Sequence, residues 1–400
     1  MSRLNRTTRF ALCVSLTCAW TLTALVGVAS AQPQPYSIDM SGSAAAPGTV
    51  MVERARKSVA EGKLSEAIAL LSAYVSSHPQ EIAAAKYLGD LYYREADLHK
   101  AEDVYRHVLA VAPKDRETHD RLGGIYAAED RVTEAIDQFT QSLPSVSNAY
   151  TQLVELHRRR GDLTEFVNTS KRQADDRPLD YVSQYNMGRI FDAEHQYRDA
   201  IFYLERALGL QPKDCPTMSA LGSAYLDLGD DTHAFATLNR CLRGAPDDYS
   251  ALVNRGDAYI EVGQNDAARA DLEHAHRVRT DGPEALVDIG YLEDVARRWH
   301  SAIEYYLRAL AIDPLMREAY TDLGYDYDEH QLYALAEAAY LKGLSIVPSD
   351  GRLHYLLAVA YADQGKQTLA MAEYRRAQSS DEEEVVRAAR RELAALQRSQ

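Results

Sequence analysis

Residues 215–248 read CPTMSALGSAYLDLGDDTHAFATLNRCLRGAPDD, and this stretch predicts two short helices joined by a tight turn. Apolar residues recur three or four apart in both halves, which is the period of an amphipathic helix. Gly229 and Asp230 end the first helix, and Pro246 ends the second. Neither helix can bury its apolar stripe alone, so the unit needs copies of itself on both sides.

The copies follow at a period of 34 residues. The alanine at position 234 recurs at this step along the chain, except for one step of 65 between Ala135 and Ala200. That step equals two units less three residues, so a unit near residue 147 is shortened. The glycines equivalent to Gly222 are Gly89, Gly123, Gly188, Gly256, Gly290 and Gly324.

One unit shows the complete pattern, with Leu88-Gly89, Tyr92, Ala101, Tyr105 and Pro113 at fixed offsets. A period of 34 with these residue types resembles the tetratricopeptide repeat. The resemblance implies an all-α fold, a right-handed α-solenoid of about ten helix-turn-helix repeats with a C-terminal capping helix. It covers roughly residues 48 to 381.

The unit beginning at Ser147 departs from this pattern. It carries Val154 and Phe166 where the family has small residues that let two helices approach closely. These bulky side chains should push the two helices apart. The sequence therefore predicts a local irregularity in the middle of the array.

The array is expected over residues 50–381, preceded by a flexible leader at 32–49 and followed by a capping helix at 382–400. In the cap, Val385, Ala389, Leu393 and Leu396 form an apolar stripe suited to covering the last repeat. An amphipathic membrane helix is the alternative, which the acidic start of this segment disfavours. The predicted units are residues 50–81, 82–115, 116–146, 147–180, 181–214, 215–248, 249–282, 283–316, 317–350 and 351–381.

Residues 1–31 have the features of a secretory signal peptide. Arg3, Arg6 and Arg9 precede an apolar run over 10–28, and Ala29-Ser30-Ala31 fits the cleavage rule of small residues. Cleavage between Ala31 and Gln32 would leave a periplasmic or secreted protein without a membrane span. The alternative is a retained membrane anchor, because about 19 apolar residues can cross a bilayer.

The net charge of −15 arises from 44 basic and 59 acidic residues. Nucleic acid and anionic membrane surfaces are bound by basic protein surfaces, so the charge argues against both as partners. The chain has 26 tyrosines against 6 phenylalanines and 2 tryptophans. Many of these tyrosines follow the repeat register, which indicates a packing role.

The sequence has only weak candidates for catalytic, phosphate-binding or metal-binding motifs. No glycine-rich phosphate loop or paired-histidine zinc motif occurs, and His274 and His276 lie two apart, pointing to different faces of a helix. The acidic and aromatic string at 325–330 falls on a predicted packing helix. We therefore expect no catalytic residue, no metal site and no cofactor.

Cys215 and Cys241 are the two cysteines that remain after signal cleavage. They lie at the start of one helix and late in the next, where antiparallel helices bring their ends together. In an oxidising compartment an even pair permits a disulfide, which needs Cα atoms within about 7 Å of each other. A buried free Cys241 is the alternative that stays open.

The resemblance also implies a binding surface, because in this family the first helix of each unit lines a concave groove. Transferring the family's inward-pointing positions gives a mixed, partly basic first half and an acidic second half. Glu155 and Arg352 also fall on these positions. The candidate partner-binding residues are Lys86, Asp90, Tyr93, Arg94, Arg158, Arg159, Tyr185, Arg189, Asp192, Asp227, Asp257, Glu261, Tyr291, Asp294, Tyr325, Asp328, Glu329, Tyr355 and Asp363.

Acidic side chains interleaved with tyrosines suit a basic protein or peptide partner, through charge pairing and cation–π contacts. The bland interpretation is that these acids serve solubility alone. We expect a non-catalytic exported scaffold that mediates protein–protein interactions. A component of a cell-envelope assembly or export machine is the second interpretation, and an enzyme with an unrecognised site is the third.

Overall fold

The computed structural model describes residues 47–144, 148–380 and 382–398, which form 21 α-helices and no strand. The predicted signal peptide and residues 32–46 of the leader lie outside the described residues. Within the described ranges, no helix is both long and apolar enough to cross a bilayer.

The helices pair in chain order into ten units and end in one further helix, which confirms the all-α solenoid. Helix α1 begins at Pro47, three residues before the predicted array. Proline fits the first position of a helix, since its missing N–H would have no partner there. The units are α1 (Pro47–Ala60) with α2 (Leu64–Ser77), α3 (Ile82–Arg94) with α4 (Leu98–Val111), α5 (Arg116–Ala128) with α6 (Val132–Ser142), α7 (Ala149–Arg160) with α8 (Leu163–Asp176), α9 (Tyr181–Ala193) with α10 (Tyr197–Leu210), α11 (Cys215–Leu228) with α12 (Asp231–Gly244), α13 (Tyr249–Glu261) with α14 (Asn265–Val278), α15 (Pro283–Val295) with α16 (Trp299–Ile312), α17 (Arg317–Glu329) with α18 (Tyr333–Ile346), and α19 (Gly351–Asp363) with α20 (Gln367–Ala377), followed by α21 (Glu383–Arg398).

Small residues set the spacing of the two helices in a unit. A Cβ atom added to Gly222 would lie 2.6 Å from Cγ of Leu238, so this position on α11 admits only glycine without a shift. Ala234, on α12, has no exposed surface. The repeated glycine and alanine therefore allow the close approach that the sequence predicts.

The turn between the helices of each unit contains one residue in the left-handed backbone region. Five of these residues are glycines and five are not, among them Ala96 at φ 60° and Arg297 at φ 61°. An L side chain in this region costs about 1–2 kcal/mol. Since all ten turns share the conformation, the geometry of the repeat is kept even where the sequence lacks glycine.

Unit four has the expected irregularity. Helix α8 buries only one of its side chains, Ala174, whereas Val154 on α7 is buried. Phe166 is half-buried and stacks on the ring of His157, with centroids 4.0 Å apart. The bulky residues thus leave α8 as an exposed helix in the middle of the array.

Helix α21 caps the array as predicted. Val385, Ala389 and Leu393 are buried against the apolar cluster of the last unit, and Leu396 packs at its margin. Arg352 on α19 pairs with Glu382 just before the cap, at 2.5 Å. The helix covers apolar surface that the last repeat could not bury alone.

Candidate partner-binding surface

All nineteen candidate binding residues lie on the first helices of their units. Their side chains differ in depth: some are half-buried, and Arg158, Arg159, Glu329 and Asp363 are exposed. By helix, they are Lys86, Asp90, Tyr93 and Arg94 on α3; Arg158 and Arg159 on α7; Tyr185, Arg189 and Asp192 on α9; Asp227 on α11; Asp257 and Glu261 on α13; Tyr291 and Asp294 on α15; Tyr325, Asp328 and Glu329 on α17; and Tyr355 and Asp363 on α19.

Four of the five candidate tyrosines are buried. Tyr93, Tyr185, Tyr291 and Tyr355 are between 2 and 6% exposed. Tyr185, for example, stacks on another ring of its own helix at 5.9 Å between centroids. A ring enclosed in this way cannot offer its face to a partner's cation, which differs from the expected cation–π contacts. Tyr325 is half-buried.

Four of the five basic candidates in the first half of the array, all except Arg94, form ion pairs within the chain. Lys86 lies 3.2 Å from Asp115, and Arg158 lies 2.8 Å from Glu155 and 2.9 Å from Glu194. Further pairs join Lys86 to Glu117, Arg159 to Asp130 and Arg189 to Asp192. The charge of this half is therefore largely internally balanced.

Glu261 is the centre of a first acidic group in the second half. Burial raises its pKa to about 7, and the neighbouring carboxylates of Asp257, Asp227 and Asp231 act in the same direction. Asp257 lies one helical turn before Glu261 on α13, a spacing at which like charges repel. The other two carboxylates come from the preceding unit.

Asp328 is the centre of a second acidic group. Burial first, then Asp363 and Glu329, raise its pKa to about 7. Its Oδ1 atom is buried and has no hydrogen-bond partner. The pKa of Asp363 is raised too, by burial and by Glu329. Two neighbouring units thus hold carboxyl groups that resist ionisation together.

The two halves differ in how their charges are compensated. Over the ranges that the structure describes, no ion pair within 4.0 Å involves Glu261, Asp328 or Asp363. The charged side chains closest to them in effect are other acids. Within the described residues, these three carboxyl groups therefore have no basic side chain within ion-pair distance.

Arg121, on α5 in the first half of the array, lies beside the candidate residue Asp90, although the repeat register does not predict a binding residue at this position. Its Nε atom lies 3.5 Å from Asp90, and the hydroxyl of Tyr105 donates to Asp90 at 2.6 Å. Burial alone would lower the pKa of Arg121, but Asp90 and Asp313 reverse this and raise it. Unit three contributes this one cation where the sequence predicts no binding residue.

A disulfide joins Cys215 to Cys241, with 5.0 Å between their Cα atoms. This separation lies within the usual range for the bond. The bridge links the start of α11 to the later part of α12 and so connects the two helices of unit six. Of the two interpretations left open by the sequence, the structure has the bridged one.

The histidine pair has separate partners. Nε2 of His274 lies 2.8 Å from Asp247, and Nε2 of His276 lies 3.2 Å from a guanidinium nitrogen of Arg308. The two rings therefore do not share a ligand position, which agrees with their spacing of two residues on a helix.

The sequence profile of the tetratricopeptide repeat matches residues 52–116, 88–150, 185–249, 253–316 and 321–384. These stretches span well over half of the chain, and the protein belongs to the tetratricopeptide repeat family. The break between 150 and 185 coincides with the irregular unit four. A comparison with curated proteins finds no significant relative.

Several solved structures are similar to this chain at low sequence identity. The Cut9–Hcn1 hetero-tetramer of the APC/C is 14% identical, with a TM-score of 0.48, covering 86% of this chain and 84% of that chain. A tetratricopeptide repeat protein from Parabacteroides merdae is 19% identical, with a TM-score of 0.46 and coverages of 68% and 99%. Yeast Tom70 is 10% identical, with a TM-score of 0.48 and coverages of 88% and 96%.

Membership of this family defines a class of protein. Its repeats stack into extended concave surfaces that bind other proteins, and its members are generally non-catalytic scaffolds. Protein partners are therefore the class of ligand that the fold suggests for this chain.

Proposed function

We propose that this protein is a non-catalytic scaffold that binds a cationic segment of a protein partner along the second half of its concave surface. We call this surface the acidic face. It consists of Asp227, Asp257, Glu261, Asp294, Asp328, Glu329 and Asp363.

The observation that carries the proposal is the contrast in charge compensation. Lys86 and Arg158 are paired within the chain, whereas Glu261 and Asp328 face other carboxylates. Crowded carboxylates are costly to ionise, and a lysine or arginine placed among them removes that cost. A cationic partner would therefore be favoured by the face as a whole, and an anionic one repelled.

Binding on this face should be linked to protons. Because the pKa values of Glu261 and Asp328 are about 7, both groups are partly protonated at neutral pH. A bound cation stabilises their ionised forms, so the complex releases protons as it forms. The affinity should consequently fall as the pH is lowered below 7, where Glu261 and Asp328 lose their charge.

The test is a titration with a labelled peptide of alternating lysine and alanine, followed by fluorescence anisotropy. The test variant changes Asp257→Asn, Glu261→Gln, Asp328→Asn and Glu329→Gln. The matched control removes the same number of charges from exposed acids of the second helices of units, as Asp199→Asn, Asp266→Asn, Glu273→Gln and Glu304→Gln.

We expect the peptide to bind the wild type and the control with similar affinity and the test variant at least about tenfold more weakly. Removing a single charge-assisted hydrogen bond corresponds to roughly this factor. A peptide of alternating glutamate and alanine should not bind. Equal weakening by test and control variants would reduce the effect to net charge and contradict the proposal.

We further propose that the protein is exported and acts in the cell envelope. The Cys215–Cys241 bridge supports this, because disulfides persist in oxidising compartments. Fractionation of cells with mass analysis of the purified protein tests it. The expected product begins at Gln32 and gains two hydrogen atoms on reduction, whereas a cytosolic protein that retains residues 1–31 would overturn the proposal.

A further inference from the structure

The array curls so that units eight and nine touch units two to four. The hydroxyl of Tyr93 donates to Oδ1 of Asp313, 220 residues along the chain, at 3.3 Å. The hydroxyl of Ser349 donates to Oε1 of Glu155 at 2.9 Å, across 194 residues. Helix α18 also approaches α5. These contacts join the first helices of early units to the end of late ones.

The contact at Asp313 is the most enclosed of them. Its carboxylate receives the Tyr93 hydrogen bond and lies near the Arg121 guanidinium, with Glu284 as a further acidic neighbour. The backbone N–H of Leu315 donates to Asp313 at 3.0 Å and so fixes the turn.

The side chain of Leu315 completes the contact. It packs against the apolar cluster of units two to four, which contains Tyr93, Tyr105 and Leu122. Residues 313–315 therefore present a carboxylate and an apolar side chain together to the concave surface of the early units. The carboxylate contacts Tyr93 and lies near Arg121, and the apolar side chain packs on the apolar cluster.

The turn that ends unit six makes a contact of another kind. Asp247, in the turn after α12, bonds to His274 of the adjacent unit. Contacts of that kind extend the array by one repeat at a time. The contacts of Asp313 and Ser349, in contrast, skip several units and cover surface that would otherwise face the groove.

We propose that residues 313–315 form an autoinhibitory latch, which occupies the concave surface of units two to four and holds the array closed. A partner reaches this surface only when the latch has opened. The units need not unfold for this, because each is held by its immediate neighbours. The inference concerns the first half of the groove and does not depend on the acidic face.

The latch is tested by small-angle X-ray scattering of the full chain without any partner. Asp313→Arg places a positive charge against Arg121 and should open the array. The control, Asp266→Arg, makes the same charge change at an exposed residue of α14. We expect the radius of gyration and the maximum dimension to rise in Asp313→Arg and to stay at the wild-type values in the control, with unchanged helical circular dichroism.

A second variant covers the case in which Asp313→Arg loses helical structure. Leu315→Ala removes only the apolar part of the latch and should shift the scattering in the same direction, to a smaller extent. Adding Ser349→Ala should increase this shift, because it removes the second contact. Scattering of the Leu315→Ala/Ser349→Ala variant equal to that of the wild type would overturn the proposal.

Discussion

Glu261 should make the stability of the array depend on pH in a direction opposite to that of most carboxylates. Its pKa rises from 4.5 to about 7 in the folded chain, first through burial and then through the carboxylates of Asp257, Asp227 and Asp231. The informative perturbation is Glu261→Gln, which keeps the shape of the side chain and removes its charge.

The sign follows from the protons bound in each state. Between pH 4.5 and about 7 the folded chain holds a proton on Glu261 that the unfolded chain has already lost. The unfolding free energy therefore falls as the pH rises through this window. The full shift corresponds to about 3 kcal/mol at pH 8, and screening by water at this half-buried site reduces it to about 1–2 kcal/mol.

The assay is thermal unfolding followed by circular dichroism at pH 5 and at pH 8. Glu261→Gln should unfold at a temperature higher than the wild type by a few degrees, about 2–5 °C, at pH 8, and near the wild-type temperature at pH 5. Glu304→Gln, at an exposed residue of α16, serves as the control and should show no such pH-dependent gain. A variant that is less stable than the wild type at pH 8 would refute the reasoning.

Three further predictions concern the repeat itself. Each is measured as a change in the free energy of unfolding, obtained from the slope and midpoint of urea unfolding. Gly123→Ala should lower the free energy of unfolding by about 1–2 kcal/mol, because the added Cβ would lie 2.8 Å from the ring of Phe139. Gly124→Ala should raise it by about 0.5–1 kcal/mol, because a Cβ at that position meets nothing within 4 Å. Equal effects of the two substitutions would contradict the packing account. Ala96→Gly should stabilise by about 1 kcal/mol, since φ is 60° there, and a loss of stability would count against backbone strain at this turn. Asp248→Ala should cost about 1 kcal/mol, because the carboxylate accepts the N–H of the third residue of α13, and an unchanged midpoint would show that this cap contributes nothing.

The repeat register was enough to predict the helical pairs, because periodic packing residues encode contacts between neighbours. Gly222 and Ala234 are examples: their small size can be read directly as close helix approach, and the structure confirms it. Val154 and Phe166 likewise predict the irregular unit, since their volume alone conflicts with the pattern.

The burial of individual side chains and the contacts between distant units could not be predicted in this way. The register places Tyr93 and Tyr355 on the concave side but does not say that neighbouring helices enclose their rings. The contact of Asp313 with Tyr93 depends on the pitch of the whole array, which sums small rotations over several units. Arg121 was missed for a related reason, because its position within a single repeat is not one that the family pattern directs inward.

The left-handed backbone conformation of the turns without glycine also could not be predicted from the sequence. At Gly229 a glycine marks the turn, but Ala96 and Arg297 adopt the same left-handed conformation without that signal. Packing of the two helices on either side imposes the backbone there and outweighs the local preference. A pattern of single residues therefore underestimates how uniform the turns are.

The central claim is that the acidic face binds a cationic protein segment, and proton release on binding tests it most directly. Titration calorimetry of the lysine–alanine peptide at pH 7, in two buffers of different ionisation enthalpy, measures the protons exchanged. Binding should release protons from the wild type, and Glu261→Gln combined with Asp328→Asn should abolish most of this release. Binding without any proton exchange, or with the same exchange in the double variant, would contradict the account.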